Sequence, residues 1–197
     1  MEALEQGDDM TRSALALLLF TATIALGASA AEVGGVKLAD KASVGGQELV
    51  LNGAGIRTRA IFKVYVAALY LPAKATTLDA ALAKAPRRIQ LSLLRNLSAD
   101  TLSGALTDGL KEANSPAELD AIKAETAQMA TIMKGFGDVK EGDVVTLDFV
   151  DGATKVGLNG TTKDSIAGDT FNRALTRIWI GDRAVQDDLK RALLGGS

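Results

Sequence analysis

The sequence contains no cysteine and no histidine. These two absences exclude disulfide bonds, cysteine nucleophiles, every Ser-His-Asp arrangement and the common zinc sites. Any chemistry must come from Arg, Lys, Tyr, carboxylates, hydroxyls or bound water, and neither a metal nor a cofactor is expected. A surplus of one charge is lacking too: 22 Lys+Arg stand against 24 Asp+Glu. There is no Lys/Arg run, so the electrostatic footprint of a nucleic-acid binder is missing. Internal repeats, low-complexity tracts and Pro/Gly/Ser linkers are also missing, which leaves one domain as the expected organisation.

One long apolar run is present, at the N-terminal end. Arg12 supplies a positive charge, Ala14 to Leu26 is nearly all apolar, and Ala28-Ser29-Ala30 ends the run with small residues. This is the pattern of a secretory signal peptide over residues 1–30, cut between Ala30 and Ala31. The run falls short of the ~20 apolar residues of a transmembrane helix, so no membrane span is expected after cleavage. Glu2, Glu5, Asp8 and Asp9 carry the wrong sign for the start of such a peptide, which makes Met10 a candidate start of translation. Residues 1–30 hold four acids and one base, so residues 31–197 keep 21 Lys+Arg against 20 Asp+Glu and form a nearly neutral domain. The expected location is outside the cytoplasm, in the periplasm if the source has two membranes. With no disulfides, such an exported domain must be held together by its core alone.

Within the domain, Gln47 to Leu51 reads as a short strand, and Asn52-Gly53-Ala54-Gly55 as the turn after it. Arg57 to Leu71 reads as one strand stopped by Pro72. On it Ala60, Phe62, Val64, Val66, Ala68 and Tyr70 share one parity, and Arg57, Arg59, Lys63 and Tyr65 the other. Arg88 to Leu94 alternates as a strand. The period then changes: Ser98 caps a helix with Leu102, Leu106 and Leu110 at spacing four, closed by Asn114. Ser115-Pro116-Ala117-Glu118 combines a capping box with Pro at the first helical position, and opens a helix whose stripe is Leu119, Ile122, Thr126, Met129 and Met133. Val144–Val150 and Lys155–Leu158 flank Asp151-Gly152 as a hairpin, and a short strand follows near Lys163–Ile166. Phe171, Ala174, Leu175, Ile178 and Trp179 predict a helix ended by Gly181, and Val185, Leu189 and Leu193 a last one. Strands, helices, strands, helices is the order of an α+β domain with an antiparallel sheet, and it lacks the regular alternation of a Rossmann-type chain.

Gly53-Ala54-Gly55-Ile56-Arg57, followed by Phe62-Lys63-Val64-Tyr65-Val66-Ala67-Ala68-Leu69-Tyr70-Leu71-Pro72, resembles the bacterial chalcone isomerase-like proteins. Glu141-Gly142-Asp143, Leu158-Asn159-Gly160, the stretch from Phe171 through Trp179-Ile180-Gly181-Asp182, and Asp188-Leu189-Lys190 are similar to that family as well. The blocks keep their order from about Val36 to Gly195, which makes the likeness more specific than any one motif. The resemblance implies an open-faced β-sandwich: a large antiparallel sheet covered on one face by helices, with a ligand cleft between them. Its members include enzymes that cyclise chalcones, proteins of the same fold that bind fatty acids, and exported bacterial relatives, so fold and function must be separated.

Cyclisation needs a cation near the attacking phenolate and donors at the carbonyl where charge develops. By resemblance Arg57 takes the place of the enzymes' arginine, and Tyr65 the place of a threonine that orients the carbonyl. Leu97 to Asn114 contains no tyrosine to match the one that the enzymes contribute from their helical region. A second use asks for fewer residues: Arg57 as bidentate partner of a carboxylate, with Tyr65 or Tyr70 donating a phenolic hydrogen bond above an apolar tunnel. The fatty-acid-binding relatives use an arginine and a tyrosine in this way. Parity puts Tyr65 with Arg57 and Tyr70 opposite, unless a bulge intervenes.

Plain structural readings stand beside these. Arg57 is also a candidate rim arginine paired with a surface acid, and Arg59 and Lys63 read as a solvated face. Either tyrosine packs well in a strand, and Trp179, Met129 and Met133 read as core. The leading expectation is a non-catalytic exported protein that binds a small apolar carboxylate such as a fatty acid. An intramolecular lyase or isomerase acting on a chalcone-like enone and a protein-binding module without small ligand are the alternatives. Oligomeric state is not legible in the chain.

Overall fold

The computed structural model describes residues 31–196, and the expected signal peptide lies outside them. Seven strands form one antiparallel sheet: β3 (Lys41–Val44), β4 (Gln47–Arg59), β5 (Phe62–Leu71), β6 (Arg87–Leu93), β7 (Val144–Val150), β8 (Ala153–Leu158) and β9 (Thr161–Ala167), in that spatial order. Each strand therefore pairs with its sequence neighbour. A separate two-stranded ribbon, β1 (Ala31–Val33) and β2 (Val36–Leu38), precedes them. The helices are α1 (Leu78–Ala81), α2 (Ala99–Ala113), α3 (Pro116–Ala121), α4 (Lys123–Gly135), α5 (Asp169–Ile180) and α6 (Asp187–Leu193). The expected α+β architecture, a large antiparallel sheet with helices on one face, is the one observed.

Strand parity divides the core. Ala67, Leu69 and Leu71 of β5 join Ile89, Leu91 and Leu93 of β6 and the inner faces of α2, α4 and α5 in the main cluster. Val66, Ala68 and Tyr70 point the other way, into a smaller cluster with Leu38, Val44 and Leu49.

The strand readings need two corrections. The segment Asn52-Gly53-Ala54-Gly55 is not a turn but the middle of β4, with a bulge between Leu51 and Gly53. Its glycines serve close packing. A Cβ on Gly53 would stand 2.0 Å from the Ala192 carbonyl oxygen, and one on Gly55 would stand 2.9 Å from Leu189 Cδ1, so α6 lies directly on this strand. Asn52 completes the contact: its amide nitrogen donates to the carbonyls of Leu193 (2.7 Å) and Ala75 (2.9 Å), and its oxygen accepts from the Ala75 N–H (2.7 Å). A buried asparagine thus satisfies an orphan carbonyl at the end of α6.

Arg57 to Leu71, in turn, is two strands joined by a hairpin turn at Ala60-Ile61, where Ala60 has φ 53°. Alternation through the turn hid it, because the two strands carry similar residues on either side of a connection without Gly, Asn or Asp. The helix opened by Ser115 also divides at Ile122 (φ −119°, ψ 19°), giving α3 and α4. Its capping box is present: the Ser115 side chain accepts from the Glu118 N–H, and the Glu118 carboxylate accepts from the Ser115 N–H.

Candidate functional site

Between the β4–β5 hairpin, the chain after β6, helix α2 and helix α5 lies a cleft of about 540 Å³. That volume falls inside the ~300–1,000 Å³ range of small-molecule sites. Its body is apolar, walled by Val64, Leu91, Leu97, Leu102, Leu106 and Ile178. Arg57, Arg59 and Arg95 contribute the polar side nearest the hairpin, and Asp108 and Glu112 lie along α2. Gly109 brings α2 against α5 beside the cleft, since a Cβ there would meet Ile178 Cγ2 at 2.9 Å.

Arg57 and Tyr65 do share a face, and the reason is pairing across the hairpin. Arg57 is the register partner of Tyr65 in the β4–β5 ladder, and directly opposite residues of an antiparallel pair project to the same side. A bulge between Arg57 and Thr58 sets this register just before the strand ends. Both side chains line the cleft. Tyr70 does not: it lies on the opposite face in the smaller cluster, and its hydroxyl donates to the Ala39 carbonyl at 3.0 Å. The bulge that would have turned Tyr70 toward Arg57 is absent from β5, whose pairing with β6 runs unbroken from Tyr65 to Tyr70.

Arg57 is held without a carboxylate. Its Nη1 donates to the Thr58 carbonyl (2.7 Å) and to Gln186 Oε1 (3.1 Å), and no ion pair to Arg57 occurs among the described residues. Gln186 is the organiser here. Its Oε1 also accepts from the Thr58 N–H (2.8 Å) and its Nε2 donates to the Ile56 carbonyl (3.0 Å), so one side chain fixes the end of β4 and the arginine together. Arg88 shows what a structurally paired arginine looks like in this fold, with Nε and Nη2 on the two oxygens of Asp148 at 2.5 and 2.7 Å. Arg57 has no such partner among the described residues, and only its Nη1 is hydrogen-bonded there.

The Tyr65 hydroxyl accepts the indole N–H of Trp179 at 3.0 Å. Accepting leaves its own O–H to donate elsewhere. Burial pushes the Tyr65 phenol above its ordinary pKa, while the Trp179 hydrogen bond and the Arg57 charge pull it back. The phenol therefore remains neutral at physiological pH and acts as a donor. A neutral donor beside a cation suits an oxyanion, either a carboxylate or a developing enolate.

Sequence reasoning placed Trp179 in the core. It is 1% exposed and also lines the cleft. Gln186 escaped the sequence reading altogether, because a glutamine just before a short helix carries no recognisable signal. Among the described residues no group of three or more acidic side chains could hold a metal ion, and no helix is long and apolar enough to cross a membrane.

A family model described as chalcone isomerase-like matches residues 30–195. The chain belongs to the chalcone isomerase-like family. Among solved structures, the crystal structure of a fatty-acid binding protein of Arabidopsis thaliana is similar in fold to this family member, with a TM-score of 0.66 at 13% identity, covering 82% of this chain and 92% of that one. At that identity the likeness speaks for the fold. No curated protein is similar enough in sequence to be matched to the chain.

Proposed function

We propose that this chalcone isomerase-like protein binds a small apolar carboxylate, such as a fatty acid, without transforming it. Arg57 and Tyr65 anchor the carboxylate, and the tail runs between α2, α5 and the sheet. The observation that carries this reading is an arginine with no acidic partner among the described residues, next to a neutral phenol, opening onto a cleft walled by Val64, Leu91, Leu97, Leu102, Leu106 and Ile178. A structural neighbour that is itself a fatty-acid binding protein supports it. The catalytic use of the same pair asks for a further phenolic donor on the helical wall, and α2 carries no tyrosine. Export through the N-terminal apolar run belongs to the same proposal, supported by the pattern of residues 10–30.

The test is native mass spectrometry of the protein purified from its own export pathway, with denaturing extraction of bound lipid, for the wild type and Arg57→Ala. A fatty acid that copurifies with the wild type and is lost from the variant supports the reading. An empty wild type that also ignores a panel of added fatty acids sinks it, and turnover of an enone substrate would replace it with the isomerase.

A further inference from the structure

The hairpin tip beside the cleft is unlike the rest of the surface. Ile61 is 86% exposed and Phe62 53%, and they are the exposed large hydrophobic residues among those described. The turn itself does not call for them. Ala60 adopts φ 53°, where glycine or asparagine costs least, and a β-branched isoleucine at the apex gains nothing from turn geometry.

Cations surround these two side chains. In the β4–β5 ladder Arg59 pairs with Phe62 and Thr58 with Lys63, which puts a positive residue on each side of the tip. Arg95, from the chain after β6, sets its guanidinium 4.7 Å from the centre of the Phe62 ring. Arg59, Lys63 and Arg95 are exposed and make no ion pair among the described residues. Arg59, Ala60, Phe62 and Arg95 also line the cleft, so the tip forms one lip of its mouth.

We infer that this tip docks the protein onto an anionic lipid bilayer, with Ile61 and Phe62 inserted at the boundary of headgroups and acyl chains and Arg59, Lys63 and Arg95 on the lipid phosphates. Apolar side chains at an apex with basic residues just behind them are the arrangement that suits an interface between oil and anionic headgroups. A protein partner fits less well. Two side chains fall far short of the ~800 Å² per partner that a stable protein interface buries, whereas a bilayer needs no matching surface. Docked in this way, the cleft mouth sits at headgroup depth, and an amphipathic ligand passes between bilayer and cleft without crossing water. That use rests on the proposed carboxylate binding; the docking does not.

The test is flotation of the purified protein with phosphatidylcholine vesicles, with and without phosphatidylglycerol. The expected result is flotation that depends on phosphatidylglycerol. It should weaken about fivefold for each of Arg59→Gln and Lys63→Gln, and at least about tenfold for Ile61→Ser. Ile61→Ser should keep the wild-type unfolding temperature and bind fatty acid normally in vesicle-free solution, which separates lost docking from lost folding. A wild type that ignores anionic vesicles, or an Ile61→Ser that floats as well as wild type, overturns the inference. Normal flotation of a protein that binds no fatty acid upholds the docking and removes only the ligand reading.

Discussion

Tyr65→Phe removes one oxygen and tests two ideas at once. Trp179 is the sole tryptophan of the chain and is almost fully buried, and its N–H finds its partner in the Tyr65 hydroxyl at 3.0 Å. Phenylalanine keeps the ring packed and leaves that N–H unpaired, which costs about 1–3 kcal/mol. For a domain of this length each kcal/mol moves the melting temperature by roughly 2–4 °C, so a drop of about 2–12 °C is expected. Tryptophan emission should move to shorter wavelength as the indole loses its acceptor. If the Tyr65 hydroxyl also donates to a bound carboxylate, the charge-assisted bond is worth about 1.5–3 kcal/mol, and fatty-acid affinity should fall roughly 10- to 150-fold. Thermal unfolding and ligand titration followed through Trp179 fluorescence read both effects. A variant with wild-type melting and emission refutes the indole–phenol contact. A variant that melts earlier but binds fatty acid as well as wild type makes Tyr65 a prop for Trp179 and removes it from the ligand site.

Gln186→Ala should leave the fold intact but loosen Arg57 and the end of β4, weakening fatty-acid binding about tenfold with little change in melting, a split that parallel titration and calorimetry would reveal. Gly53→Ala drives a methyl into the Ala192 carbonyl and should cost about 1–3 kcal/mol in denaturant unfolding; an unchanged midpoint would mean that α6 does not rest on β4. Glu118 is held down to about pKa 2 by hydrogen bonds from the Ser115 backbone and side chain, then by Arg177, against an ordinary 4.5. A depressed folded-state pKa stabilises above the unfolded value, so this contribution is complete above pH 4.5 and fades as pH falls toward 2. Urea unfolding at several pH values should therefore show a shallower acid loss for Glu118→Gln than for wild type. Arg87 is 5% exposed, its guanidinium lies 4.5 Å from the centre of the Phe149 ring, and its pKa is lowered to about 10, chiefly by burial. With no ion pair to it among the described residues, Arg87→Met should be neutral or stabilising, and a loss of several kcal/mol in the same assay would show that the charge is needed.

Much of the fold is legible because local signals and tertiary packing agree. Ser98 and Ser115 cap helices where the sequence says they should, and Asp151-Gly152 turns β7 into β8, each residue supplying the backbone geometry that its position requires. The readings fail where a residue type serves two physical ends. Glycine permits positive φ, and it also permits close approach. In Asn52-Gly53-Ala54-Gly55 the second use applies, and the element that approaches, α6, lies some 140 residues downstream where no local window can see it. Ile122 keeps its place in the buried stripe yet divides the helix into α3 and α4, without any glycine or proline to announce it.

The candidate site shows the same limit from the other side. A single strand puts Arg57 and Tyr65 on one face but eight residues, roughly 26 Å, apart; the hairpin makes them direct cross-strand partners. The shared face is therefore legible in the sequence, and the juxtaposition comes only with the hairpin. The difference matters for function. In a single strand Ile61 and Phe62 would be mid-strand residues needing cover on at least one face. At a hairpin apex they have none, and the two exposed large hydrophobic side chains of the described residues meet solvent beside Arg59, Lys63 and Arg95. What holds the two candidate residues in place is also non-local: Gln186 arrives from the start of α6 to bond Arg57, and Trp179 arrives from α5 to bond the Tyr65 phenol. Neither residue has a motif, so the candidate site residues can be read in the sequence while those that position them emerge only from the fold.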